Sequence, residues 1–490
     1  MNRLYQIFRH HPAVSTDSRN IRPDSIFFAL KGANFDGNQF ALEALRKGAA
    51  YAVIDDPKIL AQIRKKYEAE EQAKAENKAT TQDKQHTPTK KADNAPQADS
   101  FRGKTAEEKE MLQGIVDEIH AIEEHINRTY AEEIWQEEQH IILVDDCLKA
   151  LQELAQAHRR ALDIPILAIS GSNGKTTTKE LINRVLRCHF KTYATQGNLN
   201  NHIGVPLTLL AMTRKTQFGI VEMGASSCGE IALLASIAQP DYGILTNVGR
   251  AHLEGFGGEE GVRRGKGELY DFLMQHSGKA FLREDDETLC QMAKERPALD
   301  TIPYSTQLSE GIESHLEGDY NRFNIAAAVA VGREFGISDR EIRAAIADYT
   351  PENNRSQRQT TDRNTLIIDC YNANPSSMRA SIENFQNETA SDRLQHVYIL
   401  GDMLELGAWA TEEHRTIIEL AAQDTEAVIL LVGREFQEAY SSLENQPEHC
   451  HLFPTRTELA AYLDQHPLSN DLILIKGSRG IGLEKIIERL

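Results

Sequence analysis

PILAISGSNGKTTTKELINRVL, Pro165 to Leu186, is the stretch whose reading decides the fold. Pro165 to Ser170 is an apolar run of strand length, Gly171-Ser172-Asn173-Gly174-Lys175-Thr176 interrupts it, and Leu181, Ile182, Val185 and Leu186 then recur at helical spacing. A strand that passes through a glycine-bearing loop into a helix gathers backbone N–H groups and a helix N-terminus around one point, which makes an anion site. In that setting Lys175 is placed to reach the outer phosphates of a nucleotide and Thr176 to ligate Mg²⁺. The loop departs from the general pattern GxxxxGK followed by Ser or Thr, because Ile169 occupies the first glycine position.

Outward from this unit the pattern repeats. GIVEMG (219–224) and YGILTNVG (242–249) are further apolar runs, each followed by a loop and a helical stretch, and such alternation predicts a largely parallel sheet. From about Pro351 a second series, TLIID, VYILGDM, AVILLVG and LILIKG, is separated by helical segments and predicts another doubly wound unit. Upstream, SIFFAL (25–30) and AYAVID (50–55) flank the helix-like FALEALRKGA, and DDCLKALQELAQAHRR (145–160) leads into the central series. The expected fold is α/β in three domains: a small N-terminal α/β substrate domain over 1–155, a central P-loop ATPase-type parallel-sheet domain over 156–348, and a C-terminal Rossmann-like domain over 349–490.

Composition interrupts the first of these. Residues 65–104 are rich in Lys, Glu, Gln, Ala, Thr and Asn, too polar to bury a core, and are expected to be disordered. Residues 105–138 return to helical spacing through Met111, Ile115, Ile119, Ile122 and Ile126. The whole of 57–140 reads as an insertion, either a solvated excursion without catalytic work or an arm for a partner.

The chain carries 54 basic and 73 acidic residues, net −19, with no dominant basic stripe, which argues against a nucleic-acid partner. A phosphorylated substrate must therefore be met locally, by backbone amides, metal ions and a few Lys or Arg side chains. Six cysteines are scattered singly without ligand spacing, so neither a disulfide framework nor a zinc site is expected, and a reduced cytoplasm fits. The first residues lack a signal-peptide core, and no apolar run approaches the ~20 residues a membrane span requires.

Two further side chains stand where chemistry is expected. Glu222 ends the run GIVEMG and His252 follows YGILTNVG, and in a parallel sheet ligands bind beyond the carboxyl ends of the strands. Taken singly, such a Glu is more often a cap or a solvated charge, and such a His more often packs or bonds a carbonyl. Beside a phosphate loop they point to metal-assisted phosphoryl chemistry, since Mg²⁺ takes oxygen ligands and commonly keeps waters beside one carboxylate.

GSNGKTTTKE, NLNNHIGVPLTLL, EMGASSCGEI, TNVGRAHLEGFG, KGELYDFL, DCYNANPSSM, GDMLELG and KGSRGIGLE together resemble the Mur ligases, ATP- and Mg²⁺-dependent enzymes that form amide bonds, over nearly all the chain except the insertion. The resemblance implies that ATP phosphorylates the terminal carboxylate of UDP-N-acetylmuramoyl-tripeptide, and that the amine of D-alanyl-D-alanine attacks the acyl phosphate. It implies that Gly171 to Thr177, Thr177 included, bind ATP, that Thr176 and Glu222 hold one Mg²⁺, and that His252 and Lys266 serve a second. Lys266 matches a lysine typically carbamylated in this family, a modification that turns a cation into a carboxylate-like ligand; composition alone reads it as a surface lysine beside Arg263 and Arg264.

The same resemblance puts Asn201, flanked by Asn198 and Asn200, near the phosphates, and Asn321 and Asn324 near the adenosine, with Tyr320 where a histidine is common. Arg355 and Asp369 match a pair that binds ATP as the C-terminal domain closes, and Cys370 replaces a usual serine. Asn372, Asn374 and Pro375 fall on the D-alanyl-D-alanine side, although NANP is also ordinary turn chemistry. Ser18, Arg19, Lys31 and Gly32 match the UDP-sugar-binding segment, where a glycine-rich hairpin would satisfy the same string. A monomer acting on small molecules is expected. The rival readings are another Mur-type or folylpolyglutamate-type ligase, which would not be expected to carry YNANPSSM with GDMLELG, and a slow nucleotide-gated binding protein.

Overall fold

In the computed structural model the described residues are 3–62, 65, 140–316, 318–351, 355–388 and 394–490. The expectations for 65–104 and 105–138 lie, Lys65 apart, outside the described residues. Two compact units are present, Met1–Leu154 and Ala155–Leu490.

The first unit holds a four-stranded sheet in the order Ala13–Ser15, Ser25–Phe28, Tyr51–Ile54, Ile141–Leu143, parallel throughout. Ile26, Phe27, Phe28, Ala52, Val53 and Ile54 are almost wholly buried, which is why SIFFAL and AYAVID are apolar without alternation. The helix Cys147–Leu162 begins in this unit, and Leu151 and Leu154 on it are buried. Tyr51–Ile54 and Ile141–Leu143 are neighbours in the sheet, so the chain between them leaves and returns at adjacent strands.

The second unit contains two six-stranded sheets. One runs Asp300–Tyr304, Lys279–Arg283, Tyr242–Leu245, Ile166–Ser170, Phe218–Glu222, Thr192–Ala194, all parallel as the alternation predicts. Ile166–Ser170 lies inside it and is buried at every residue. The helix Asn321–Glu334 packs on the helix Lys175–Leu186 through a run of small residues, Ala326 to Gly332, that lets the two backbones approach. A Cβ on Gly332 would stand 2.6 Å from Val185 Cγ1, so Gly332→Val would force these helices apart. Each Leu or Ile sealed in this core, such as Leu181 or Ile182, contributes about 1.5–3 kcal/mol.

The other sheet runs Gln357–Thr360, Thr365–Ile368, Asp471–Lys476, Gln395–Gly401, Val428–Val432, Cys450–Phe453. It is doubly wound and parallel as expected, except at one edge, where Gln357–Thr360 pairs antiparallel with Thr365–Ile368. Among the described residues no helix is long and apolar enough to cross a membrane.

Candidate active site

The loop after Ile166–Ser170 needs its glycines. Gly171 has φ 136° and a Cβ there would lie 2.1 Å from Thr246 Oγ1; Gly174 has φ 78° and a Cβ there would lie 2.5 Å from Asn324 Oδ1. Neighbouring strand ends pin the loop: Ser172 N donates to Asn247 O at 3.1 Å, Asn173 N to Asn247 Oδ1 at 3.0 Å, and Thr246 Oγ1 to Asn173 O at 2.5 Å. Asn324, buried on the helix behind, accepts from Thr178 Oγ1 at 2.9 Å and donates to Asn321 Oδ1 at 2.7 Å. Asn321 and Asn324 thus buttress the loop and the first turn of its helix.

Lys175 Nζ turns back onto the loop and donates to Gly171 O at 2.8 Å and Ser172 O at 3.1 Å. Burial pushes this ammonium down to about 8, against the upward pull of Glu222 and with Arg355 adding repulsion. Thr176 Oγ1 donates to Glu222 Oε1 at 3.3 Å, and Asn200 Nδ2 donates to the same oxygen at 2.9 Å. Glu222 is 2% exposed, and its Oε2 has no hydrogen-bond partner, the nearest cation being Lys179 Nζ at 3.7 Å. A buried carboxylate oxygen left open beside a threonine hydroxyl is a fit for a hard cation. Thr177 follows half-buried on the same turn.

His252 stands in the left-handed region, φ 52°, and caps the short helix Leu253–Phe256. Its Nδ1 is hydrogen-bonded to Glu405, itself left-handed at φ 63°. Burial pushes the His252 imidazole down and the Glu405 carboxylate pulls it back up. Lys266, 1% exposed on the helix Glu259–Gln275, donates to Ala225 O at 3.2 Å and lies 5.1 Å from the Phe256 ring centroid. It makes no ion pair among the described residues, and burial together with the charge of Lys175 pushes it down to about 7. The surface-lysine reading is thereby removed.

On the second sheet, Arg355 stacks on Tyr371 at 3.7 Å, and Asp369 accepts from Lys476 Nζ at 2.5 Å, Ser381 Oγ at 2.8 Å and Ser356 N at 3.2 Å. Tyr320 OH meets Ser356 Oγ at 2.6 Å, tying the helix bearing Asn321 to the Arg355 segment. Cys370 is buried, and burial raises its thiol to about 12, as a packed side chain. Asn374 caps Pro375–Gln386 through Ser377 N, and its Nδ2 donates to Asn173 Oδ1 at 2.8 Å, so the phosphate loop and NANP touch. Asn372 is exposed and Pro375 buried in the first turn.

Asn201 is engaged at a helix start. Its Oδ1 accepts from Ile203 N at 3.1 Å and Gly204 N at 2.9 Å, opening the helix Gly204–Leu210, while Asn200 is the asparagine that meets Glu222. Lys179, Glu405, Lys476 and Tyr371 also escaped the sequence reading, although each lies inside a motif already quoted. Among the described residues no cluster of three or more His, Cys, Asp or Glu stands ready to hold a metal.

In the first unit Lys31 Nζ pairs with Asp55 Oδ1 at 2.8 Å, which raises the ammonium, and Arg19 pairs with Asp17 at 2.8 Å. Ser18 O accepts from Lys47 Nζ at 2.8 Å, and Gly32 sits against the Phe35 ring, where a Cβ would come within 2.2 Å. Asn38, 1% exposed, holds the corner by donating to Asp55 Oδ1 at 2.8 Å and accepting from Asp55 N at 3.0 Å.

Comparison with known proteins adds family relations. Residues 169–310 match the Mur ligase middle domain, 354–479 the Mur ligase glutamate ligase domain, and 11–86 the Mur ligase family catalytic domain. The UDP-N-acetylmuramoyl-tripeptide–D-alanyl-D-alanine ligase of Bacillus subtilis is 33% identical, with 97% of this chain and 92% of that protein aligned. The crystal structure of MurF from Acinetobacter baumannii shares the fold at TM-score 0.72 and 23% identity, covering 99% of this chain and 97% of that one. The MurF ligase of Thermotoga maritima, crystallised with ADP, does so at TM-score 0.69 and 23% identity over 100% and 98%.

Proposed function

This chain belongs to the Mur ligase family, and on that premise we propose that it joins D-alanyl-D-alanine to UDP-N-acetylmuramoyl-tripeptide at the expense of ATP, in peptidoglycan precursor synthesis. The observation that carries the reading is the relation to the Bacillus subtilis ligase of that name, 33% identity across 92% of its length. The division of labour follows the three expected parts: 1–155 takes the UDP-sugar through Ser18, Arg19, Lys31 and Gly32, 156–348 takes ATP, and 349–490 takes the dipeptide beside Asn372, Asn374 and Pro375. We place the enzyme in the cytoplasm as a monomer.

In this mechanism the amides of Gly171 to Thr177 and the Lys175 ammonium bind the outer phosphates. Thr176 and Glu222 would hold Mg²⁺, which neutralises phosphate charge when bound; the open Glu222 Oε2 supports this. The tripeptide carboxylate oxygen bonds to the γ-phosphorus as the bond from that phosphorus to the bridging oxygen breaks, releasing ADP. The dipeptide amine then bonds to the acyl carbon, phosphate leaves with the bonding electron pair, and the amine loses a proton. No side chain becomes covalently attached, so positioning and charge neutralisation supply the acceleration.

Lys266 fits a metal ligand only in modified form. As an ammonium it is a second cation beside Lys175; pushed down to about 7, it offers a substantial fraction of neutral amine at physiological pH. Addition of the neutral nitrogen to the carbon of CO₂ with loss of a proton would give a carbamate, and its oxygens with His252 would hold a second Mg²⁺, which would supply further neutralisation of phosphate charge. Arg355 covers the nucleotide from the second sheet, with Asp369 fixing its segment through Ser356 N.

The test is product mass after incubating the purified protein with ATP, Mg²⁺, D-alanyl-D-alanine and a UDP-muramoyl tripeptide ending in either diaminopimelate or lysine. Phosphate release that needs both tripeptide and dipeptide is expected. Release indifferent to both would overturn the reading.

A further inference from the structure

Three loops leave the carboxyl ends of adjacent strands in the second sheet: 369–374 after Thr365–Ile368, 401–407 after Gln395–Gly401, and 476–480 at the end of Asp471–Lys476. Ser478 ties them together. Its Oγ donates to Ala373 O at 3.3 Å and accepts from Leu404 N at 2.9 Å, and its backbone N donates to Asp402 O at 3.0 Å. The same loops touch the phosphate-loop side, through Asn374 to Asn173 and through Glu405 to His252. The crevice they border is where a doubly wound sheet takes its ligand.

Arg479 projects from this rim. It is exposed and makes no ion pair among the described residues; its Nη1 donates to Tyr371 Oη at 3.4 Å and its guanidinium lies 5.3 Å from the Tyr371 ring centroid. Arg355 stacks on the same ring at 3.7 Å, so one aromatic side chain is shared by two cations. Many arginines of this strongly acidic chain, such as Arg263, Arg296 and Arg333, are matched to carboxylates, which sets Arg479 apart as a cation held by a ring. Beside it Leu404 is 44% exposed, and a Cβ at Gly480 would come within 2.9 Å of Leu404 Cδ1. A planar fork next to an uncovered aliphatic patch suits a small molecule with a carboxylate at one end and a methyl next to it.

We propose that Arg479 binds the terminal carboxylate of the dipeptide acceptor and that Leu404 receives its C-terminal methyl, which makes the 476–480 loop the reader of the acceptor's end. The inference rests on the ligase reading above. It adds what distinguishes a dipeptide with a free carboxylate from any other amine.

The test compares D-alanyl-D-alanine with D-alanyl-D-alaninamide, which keeps the attacking amine and lacks the carboxylate. The wild-type enzyme is expected to prefer the acid strongly in kcat/KM. Arg479→Gln should raise the KM for the acid roughly 10- to 100-fold, the loss of a charge-assisted hydrogen-bond pair, with the KM for ATP little moved, and should erase the preference over the amide. Arg479→Lys should recover part of it. Leu404→Ser should narrow the gap between D-alanyl-D-alanine and D-alanylglycine. An Arg479→Gln enzyme that still prefers the acid overturns the proposal, as does a rise confined to the KM for ATP. A wild-type protein that turns over neither acceptor would instead sink the ligase reading itself.

Discussion

The candidate substrate-binding lysine and arginine of the first compact unit and the two candidate catalytic lysines of the second are held in opposite ways. In Met1–Leu154, Lys31 leans on Asp55 and Arg19 on Asp17, both at 2.8 Å and both raised by their partners. In Ala155–Leu490, Lys175, half-buried and folded onto its own loop, and Lys266, sealed from solvent, have no ion pair among the described residues and are pushed down to about 8 and about 7. A paired surface cation can exchange its carboxylate for a diphosphate at small cost, which suits reversible grip. A cation with only carbonyl partners is stabilised by an arriving anion, which suits a centre where phosphate charge must be met or where a lysine must be neutral enough to react.

Removing these two lysines should therefore cost most. Lys175→Ala is expected to lower kcat by roughly 10³-fold or more in initial-rate assays, the scale seen when one electrostatic stabiliser is deleted; near-normal turnover by a folded variant would break the contrast. Lys266→Ala should lose about 10²-fold and recover partly with short-chain carboxylic acids that stand in for the carbamate. A fully active alanine variant would remove the modified-lysine role.

The paired cations should show smaller effects and opposite linkage to pH. Lys31→Ala should raise the KM for the UDP-linked substrate about 10-fold while leaving kcat largely intact, and Arg19→Ala should do the same more weakly, since exposed pairs are worth about 0–1 kcal/mol. An equal fall in kcat would move Lys31 into the chemical step.

For stability, the unfolded chain binds protons on Lys175 and Lys266 up to their ordinary value of 10.5, whereas the folded chain releases them near 8 and 7. Stability of the nucleotide-free protein should thus rise with pH across that window, and a Lys175→Met, Lys266→Met double variant should flatten the Tm profile. Asp17 has the same sense in a more acidic window: Arg19 holds it down to about 2 from 3.8, so the unfolded chain again binds the extra proton, and its contribution is present above 3.8 and fades as the solution is acidified towards 2.

The sheets, the phosphate loop and its glycines were legible because each rests on local pattern: apolar strand, left-handed glycine, helical spacing. The antiparallel edge strand Gln357–Thr360 was not, since its residues are polar and its pairing partner is chosen by the space left at the sheet edge. Asn201 and Asn200 differ by one position, and which turns inward is fixed by the helix start at Gly204 that consumes Asn201. His252 and Lys266 could be named from their motifs, yet their surroundings could not. Glu405 lies 153 residues from His252 in sequence, and the burial that lowers Lys266 comes from packing around the helix Glu259–Gln275.

Asn374 divides one amide between two duties: its oxygen holds the start of Pro375–Gln386 and its nitrogen holds Asn173 in the phosphate loop. A nucleotide that reshapes the loop must pull on the same side chain that sets the helix, so occupancy on one side of the crevice becomes mechanical news on the other. An aspartate at that position would keep the first duty and lose the second, leaving a sound helix that no longer hears the loop.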